Sequence, residues 1–389
     1  MPPISLNRRR FLSCSAAAGI AISQGNLAEG GTPDLDSSPV RLGFIGIGNR
    51  GTALLRAAIE LPGTSIVAIC DPEPKHRQRG QGIVEKAQRH RPEAFEDPRR
   101  LLDRPDVDAV VAALPCDLHE SVACQALAAG KHVYLEKPMA LTAAGCERIL
   151  QEAGSRPDLA VHVGFQRRSN PRFQEGVRRI KEHDLGPLIE ARGSWTSSNG
   201  PLTGTHGWLG RRARSGDFMV EQAVHIWDVL NWIQGGLPVG AVGWGRKGLF
   251  ARLDPDRDVT DHYSVELEWA GGFRASFTQS WIAPADDGFT GSSLRVMGEA
   301  GGLDFATGSL TFRDRQRPRE TLAPGAQNDT RFALLDFLSS IRAEKRLPPP
   351  LSLRDARDAT LTGLLVRAAI DQRRLVTMDE IRAGLAGQA

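Results

Sequence analysis

The chain's 389 residues predict a doubly wound, parallel α/β domain followed by a second domain built on strands between glycine-rich turns. Three observations carry this prediction. From residue 40 to 164 short β-branched runs alternate with helical stretches, the pattern of a parallel sheet with right-handed crossovers. The first of these strands opens directly into Gly46-Ile47-Gly48-Asn49-Arg50-Gly51 and then a helix. The length, at about 100–200 residues per domain, leaves room for two domains. We place them at residues 39–165 and 166–389, behind a separate segment at 1–38.

Taken in order, that first segment contains Asn7-Arg8-Arg9-Arg10-Phe11-Leu12 and then a weakly hydrophobic run of small residues to Ile22. It resembles a bacterial twin-arginine export signal. The apolar run is about half of the roughly 20 residues that span a bilayer, so no membrane anchor is expected after processing. Residues 25–38, rich in Gly, Pro, Asp and Ser, read as a linker.

Val40-Arg41-Leu42-Gly43-Phe44-Ile45 is the first strand, and the helix after the glycine turn covers residues 52–60. Glycines let the backbone turn tightly and approach a pyrophosphate, whose charge sits at the helix N-terminus. A second strand, residues 65–70, ends at Asp71, some 20 residues beyond Gly51. A carboxylate there accepts hydrogen bonds from ribose hydroxyls and repels a 2′-phosphate, which favours NAD; Lys75 and Arg77 leave NADP admissible. Further strands follow at 108–114, 131–135 and 159–164, with helices at about 120–129 and 142–153 between them. Ligands of such sheets lie outside the carboxyl ends of the strands, where Gly46, Asp71, Pro115 and Lys137 all fall. The candidate cofactor contacts are therefore Gly46, Gly48, Asn49, Arg50, Gly51, Asp71, Pro115, His119, Glu136 and Lys137. Residues 260–270, 272–281 and 292–297 read as strands of the second domain, and 331–343 and 353–372 as helices with apolar stripes.

Composition narrows the partners. A net charge of +3 lacks the positive field of a nucleic-acid-binding surface, so a small molecule is expected instead. Five Cys and nine His show no ligand spacing, which predicts neither a disulfide framework nor a metal site. The Tyr-x-x-x-Lys pair of short-chain dehydrogenases is absent, since Tyr134 and Lys137 are three apart.

The combination of Gly43-Phe44-Ile45-Gly46-Ile47-Gly48, Asp108-Ala109-Val110, Gly130-Lys131-His132-Val133-Tyr134-Leu135-Glu136-Lys137-Pro138-Met139-Ala140 and Gly164-Phe165-Gln166-Arg167-Arg168 resembles the glucose–fructose oxidoreductase / inositol dehydrogenase (Gfo/Idh/MocA) family. The resemblance runs from about residue 40 to the C-terminus and thins after residue 240. It implies an N-terminal Rossmann domain and a C-terminal α+β domain with an open, mostly antiparallel sheet, whose exposed face makes a homodimer or homotetramer. It also implies hydride transfer between a sugar or polyol carbon and a nicotinamide.

Such a reaction needs a base for the hydroxyl proton and a cation for the developing alkoxide. Glu221-Gln222-Ala223-Val224-His225-Ile226-Trp227-Asp228 is similar to the family's acid-x-x-x-His-x-x-Asp segment. On one helix, positions 221, 225 and 228 share a face, so a carboxylate would orient the imidazole from either side. The resemblance assigns Lys137 to the substrate hydroxyl and nicotinamide ribose, His225 to acid/base work and Glu221 to orienting it. Between them, residues 193–210 form a long Gly/Ser/Thr-rich stretch with Trp195 and Trp208, suited to the C–H faces and hydroxyls of a carbohydrate. Arg167, Trp195, Trp208 and Asp228 are thus the candidate substrate contacts. The nearby run Arg211-Arg212-Ala213-Arg214 reads as a solvated basic turn or as a seat for an acidic group.

Export would change the economy of the cofactor. Outside the inner membrane no exchangeable NAD(H) pool exists, so the cofactor is expected to be tightly held and regenerated within the site. That favours net redox-neutral chemistry. A glycosidase working by transient oxidation and elimination, as in some exported relatives of the family, is the alternative; a non-catalytic NAD-binding protein is the second.

Overall fold

The computed structural model describes residues 38–322, 324–325, 329–343 and 350–386, with 384–386 as backbone alone. The twin-arginine segment and most of the linker lie outside the described residues. The described residues from Pro39 onward form one compact unit.

Its first half is a six-stranded, wholly parallel sheet. The elements run β1 (Val40–Ile45), α1 (Asn49–Ile59), β2 (Thr64–Cys70), α2 (Pro74–Gln88), β3 (Glu93–Phe95), α3 (Pro98–Leu102), β4 (Ala109–Ala112), α4 (His119–Ala128), β5 (His132–Leu135), α5 (Ala143–Gly154) and β6 (Val161–Val163). The strand order β3-β2-β1-β4-β5-β6 puts the reversal of winding between β1 and β4. These strands are apolar on both faces, as β4 with all four residues buried shows, because helices cover the sheet on each side.

The second half continues with α6 (Pro171–Lys181), β7 (Leu188–Thr196), α7 (Arg212–Ser215), α8 (Phe218–Glu221), α9 (Val224–Gln234), β8 (Gly240–Lys247), β9 (Thr260–Glu268), β10 (Arg274–Ser280), β11 (Gly291–Gly298), β12 (Gly301–Asp304), β13 (Ser309–Phe312), β14 (Glu320–Thr321), α10 (Asp329–Arg342), α11 (Leu353–Gln372), β15 (Val376–Thr377) and α12 (Met378–Ala386). Its sheet has nine strands in the order β14-β13-β12-β11-β7-β10-β9-β8-β15. Every pairing is antiparallel except β7 with β10. The expected mostly antiparallel sheet is therefore present. Trp195, at the start of the Gly/Ser/Thr-rich stretch 193–210, lies on β7, a central strand whose Ala191 turns inward to the core.

One hydrophobic core joins the two sheets, with Trp227 of α9, Met219 of α8 and Tyr263 of β9 fully buried in it. The opposite face of the parallel sheet is covered by α1 and by α10, whose Phe337 meets Tyr134 edge-on at 5.8 Å.

Candidate active site

One cavity of about 400 Å³ runs from the carboxyl ends of β1, β2 and β4 to the start of α9's segment. At its middle, the three motif glycines divide their work. A Cβ on Gly46, whose φ is +90°, would lie 2.1 Å from the Ala113 carbonyl oxygen, and a Cβ on Gly51 would lie 1.9 Å from that of Gly46. Those two glycines exist for packing of the turn. A Cβ on Gly48 meets nothing within 4 Å, and Gly48 lines the cavity. No side chain caps α1, and its first turn carries no acidic residue. The leading N–H groups and the positive end of the helix dipole are thus left for an anion, which fits a dinucleotide pyrophosphate. Asn49 and Arg50 line the same turn.

At one end of the cavity stands Asp71, buried to 5% exposure. Its carboxylate accepts from the backbone of Ile47 (2.7 Å) and Glu73 (2.9 Å) and lies 3.1 Å from His76 Nδ1. A carboxylate has about four acceptor positions, so one is left for a ribose hydroxyl. Arg77 does not neutralise it: its guanidinium donates to the backbone carbonyls of Asp71 and Pro72. Lys75 is exposed.

At the other end Lys137 donates from Nζ to Glu221, at 2.5 Å to both its carboxylate and its carbonyl oxygen. Burial by itself would lower the Lys137 pKa; the Glu221 carboxylate, then Cys116 and Glu136, outweigh it and hold the ammonium above its usual range. Glu136 is buried and takes Arg50 Nε at 2.7 Å, while Arg50 also reaches Thr330. Gly164 makes room for that carboxylate, since a Cβ there would lie 2.9 Å from Glu136 Oε1.

His225 is close enough to Lys137 for the charge to act on it. Burial, then Lys137, Arg167 and Arg50, push its pKa well below the usual histidine value, so the ring is neutral. Its Nδ1 is buried with no hydrogen-bond partner among the described residues. Phe165 meets the ring edge-on at 6.0 Å, and Trp195 lies tilted at 6.4 Å. The Arg167 guanidinium sits over both Phe173 (5.3 Å) and Trp195 (5.7 Å), and burial pushes its pKa down to about 10. The structure thereby brings Lys137, His225, Arg167 and Trp195 into one neighbourhood.

Three expectations fail. Glu221 does not orient His225, because residues 221 and 225 are not on one continuous helix. The carbonyl of Met219 accepts from the Trp227 indole at 2.8 Å, and the Ala223 N–H turns back to Phe218 instead. That interruption between α8 and α9 rotates Glu221 toward Lys137. Asp228 is no substrate contact: 1% exposed, it is held at both oxygens by Arg168, with Nη2 at 2.7 Å. His119 is fully buried, its ring nitrogens facing the carbonyls of Pro138 (2.6 Å) and Leu114 (3.1 Å), so it braces the Lys137 turn and does not meet a cofactor. Trp208 lines the same cavity as Asp71, Lys137 and Gln222, on the loop whose His206 meets Glu73. Pro115 lines the cavity.

Sequence reasoning missed Gln222, which lines the cavity beside Glu221. Its Oε1 accepts from Gln279 Nε2 (2.5 Å), whose own Oε1 accepts from the buried Tyr263 hydroxyl (2.7 Å). This relay leaves the Gln222 amide N–H group for a ligand. Only its place inside the flagged segment pointed to it. Among the described residues no cluster of His, Cys, Asp and Glu has metal-site geometry.

Residues 40–165 match the family profile described as an oxidoreductase family with an NAD-binding Rossmann fold, and residues 173–304 match the same family's C-terminal domain. The chain belongs to the Gfo/Idh/MocA family. The cofactor of its Rossmann domain is NAD. Among relatives of this Gfo/Idh/MocA chain, an inositol 2-dehydrogenase of Acidothermus cellulolyticus is 31% identical over 195 residues, 50% of this chain and 53% of that protein. A glycosyl hydrolase family 109 protein of Shewanella pealeana is 34% identical over 175 residues, 39% of this chain and 37% of the relative. The chain thus spans about half or less of the length of these curated relatives. The crystal structure of myo-inositol 2-dehydrogenase from Lactobacillus plantarum shares the fold, with a TM-score of 0.72, 20% identity and coverage of 87% of this chain and 99% of that one.

Proposed function

We propose that this oxidoreductase acts on a hydroxyl of a sugar, polyol or glycoside by hydride transfer, with an NAD that stays bound and is regenerated in the site. One observation carries the reading: the cavity that begins at the Gly48 turn and Asp71 ends at Lys137, beside the neutral His225. NAD, when bound, supplies the hydride acceptor. The protein supplies the rest. Lys137, kept charged by Glu221, would bind the substrate oxygen and stabilise negative charge developing on it. His225 has an unpaired, buried Nδ1 to receive the hydroxyl proton. The Gln222 amide would fix a neighbouring hydroxyl. Trp195, packed against His225 and Arg167, offers an aromatic face for the ring of a carbohydrate.

The twin-arginine segment supports export, and export supports a retained cofactor and redox-neutral turnover. A homodimer or homotetramer through the outer face of the nine-stranded sheet is supported by Trp244, 61% exposed on β8. The second reading, glycoside cleavage by transient oxidation and elimination, is favoured by the similarity to glycosyl hydrolase family 109 proteins. The test is to purify the protein, release and identify its nucleotide, and follow nicotinamide absorbance across sugars, polyols and chromogenic glycosides. Absorbance change or product formation, lost in His225→Ala, supports the proposal. Aglycone release lost in the same variant selects the second reading. Bound NAD with neither leaves a non-catalytic binder and overturns both.

A further inference from the structure

The stretch between β7 and α7 comes from the second half of the chain, yet it forms a wall of the Rossmann cavity. Leu202, Gly204, Thr205, His206, Trp208 and Leu209 line it together with Asp71, Glu73 and His76. Both ends of this loop are fastened. The Leu202 carbonyl accepts from Arg257 at 3.0 Å, and that guanidinium is itself fully buried against Asp261 at 2.6 Å. Leu202 packs on the cluster of Phe218, Val259 and Trp281. Gly200 is pressed so closely there that a Cβ would lie 2.6 Å from the Trp281 carbonyl oxygen. At the far end Arg211 pairs with Asp254 at 2.9 Å.

Between those anchors the tip reaches over to the other half. His206 and Gly207 both adopt left-handed backbone, at φ +56° and +70°, which turns the chain sharply. His206 Nε2 then meets Glu73 Oε1 at 2.7 Å, across the turn that follows β2. Trp208 is seated on Gly204, where a Cβ would come within 2.6 Å of the indole nitrogen. A second bridge, Arg214 to Asp117 at 3.4 Å, joins the two halves further along the cavity, so the basic run 211–214 is spent on ion pairs.

We propose that residues 199–211 are a clamp that closes over the adenosine half of the dinucleotide, with Trp208 as its body and His206–Glu73 as its latch. The proposal rests on the retained-cofactor reading and gives it a structural cause. Exit of a ligand reaching from Gly48 to Asp71 requires the tip to leave Glu73. The latch is solvent-exposed, His206 at 69%, so it contributes modestly and the indole dominates.

The experiment loads the full chain with NADH and follows loss of protein-bound nicotinamide fluorescence on dilution into excess NAD. We expect release to quicken about threefold in His206→Ala and in Glu73→Gln, and at least about tenfold in Trp208→Ala. Thermal unfolding of the nucleotide-free variants should match that of the parent. Release at the parental rate in all three variants overturns the clamp, even if the parent turns over without added cofactor. Accelerated release in the variants, with a parent that needs added NAD for every turnover, upholds the clamp and instead defeats redox-neutral turnover.

Discussion

Glu221 and Asp228 stand seven residues apart on one stretch of chain, and each ends in an ion pair with a cation from the parallel-sheet half or its edge. The Asp228–Arg168 pair is sealed, at 1% and 5% side-chain exposure, with Trp232 stacked 4.5 Å over the guanidinium. The Glu221–Lys137 pair keeps 14% and 12% exposure and lines the cavity. The difference separates strut from reagent. A pair sealed on all sides holds two elements at one spacing and has no access to a ligand. A pair with one wall open can exchange a partner for a substrate oxygen.

The largest expected effect of breaking that comparison is on the strut. Asp228→Ala leaves Arg168 charged and unpaired in the core, and should cost about 3–5 kcal/mol of unfolding free energy in denaturant titration. Replacing both partners, Arg168→Met with Asp228→Leu, should recover most of the loss, since an apolar pair needs no desolvation of charge. Lys137→Met should do the reverse. Turnover should fall by about 10²-fold or more, near 3 kcal/mol of transition-state stabilisation. Stability should fall less than in Asp228→Ala, because Glu221 at an open wall can take up water or a proton.

The same contrast explains what was legible in the sequence. The parallel sheet was, because strand periodicity, the Gly46-x-Gly48-x-x-Gly51 turn and Asp71 all act within a few tens of residues. The boundaries of α11, Leu353–Gln372, agree with those read from the apolar stripe. The partners of the two carboxylates were not legible. Glu221 finds Lys137 across 84 residues and Asp228 finds Arg168 across 60, and periodicity carries no information on such pairings. The helix that was expected to align them is broken by the Trp227 indole, which takes the Met219 carbonyl, a side-chain competition that no propensity encodes. The loop that carries Trp208 shows the same limit: its residues announce their chemistry, but its anchors at Arg257 and Asp254 decide where it lies.

A smaller effect separates the glycines in the same way. Gly51→Ala forces a Cβ onto the Gly46 carbonyl and should destabilise the fold by about 2 kcal/mol. Gly48→Ala meets open space, so unfolding should change by no more than about 0.5 kcal/mol. Nucleotide affinity, measured by calorimetric titration of the stripped protein, should drop clearly, because the added methyl occupies the approach of the pyrophosphate.

The smallest effect concerns two neutral histidines, one beside the cavity and one on the edge strand β6. His162, beside Phe337 at 5.4 Å, is pushed down to about 4 by burial alone. His225 is pushed down by burial and then by the cations Lys137, Arg167 and Arg50. Both rings bind protons less readily folded than unfolded. Their contribution to stability is therefore complete above an ordinary histidine pKa of about 6.5 and is lost as the pH falls toward 4. Melting temperature should decline over that window, and His162→Phe should flatten the decline. The two causes are separable by ring-proton NMR titration. Removing a cation in Lys137→Met should raise the His225 titration point while that of His162 stays near 4, and an unmoved His225 would mean that burial alone governs the cavity ring. Because a base must be neutral to accept the substrate proton, that upward move should also carry the acid limb of any residual activity toward neutral pH.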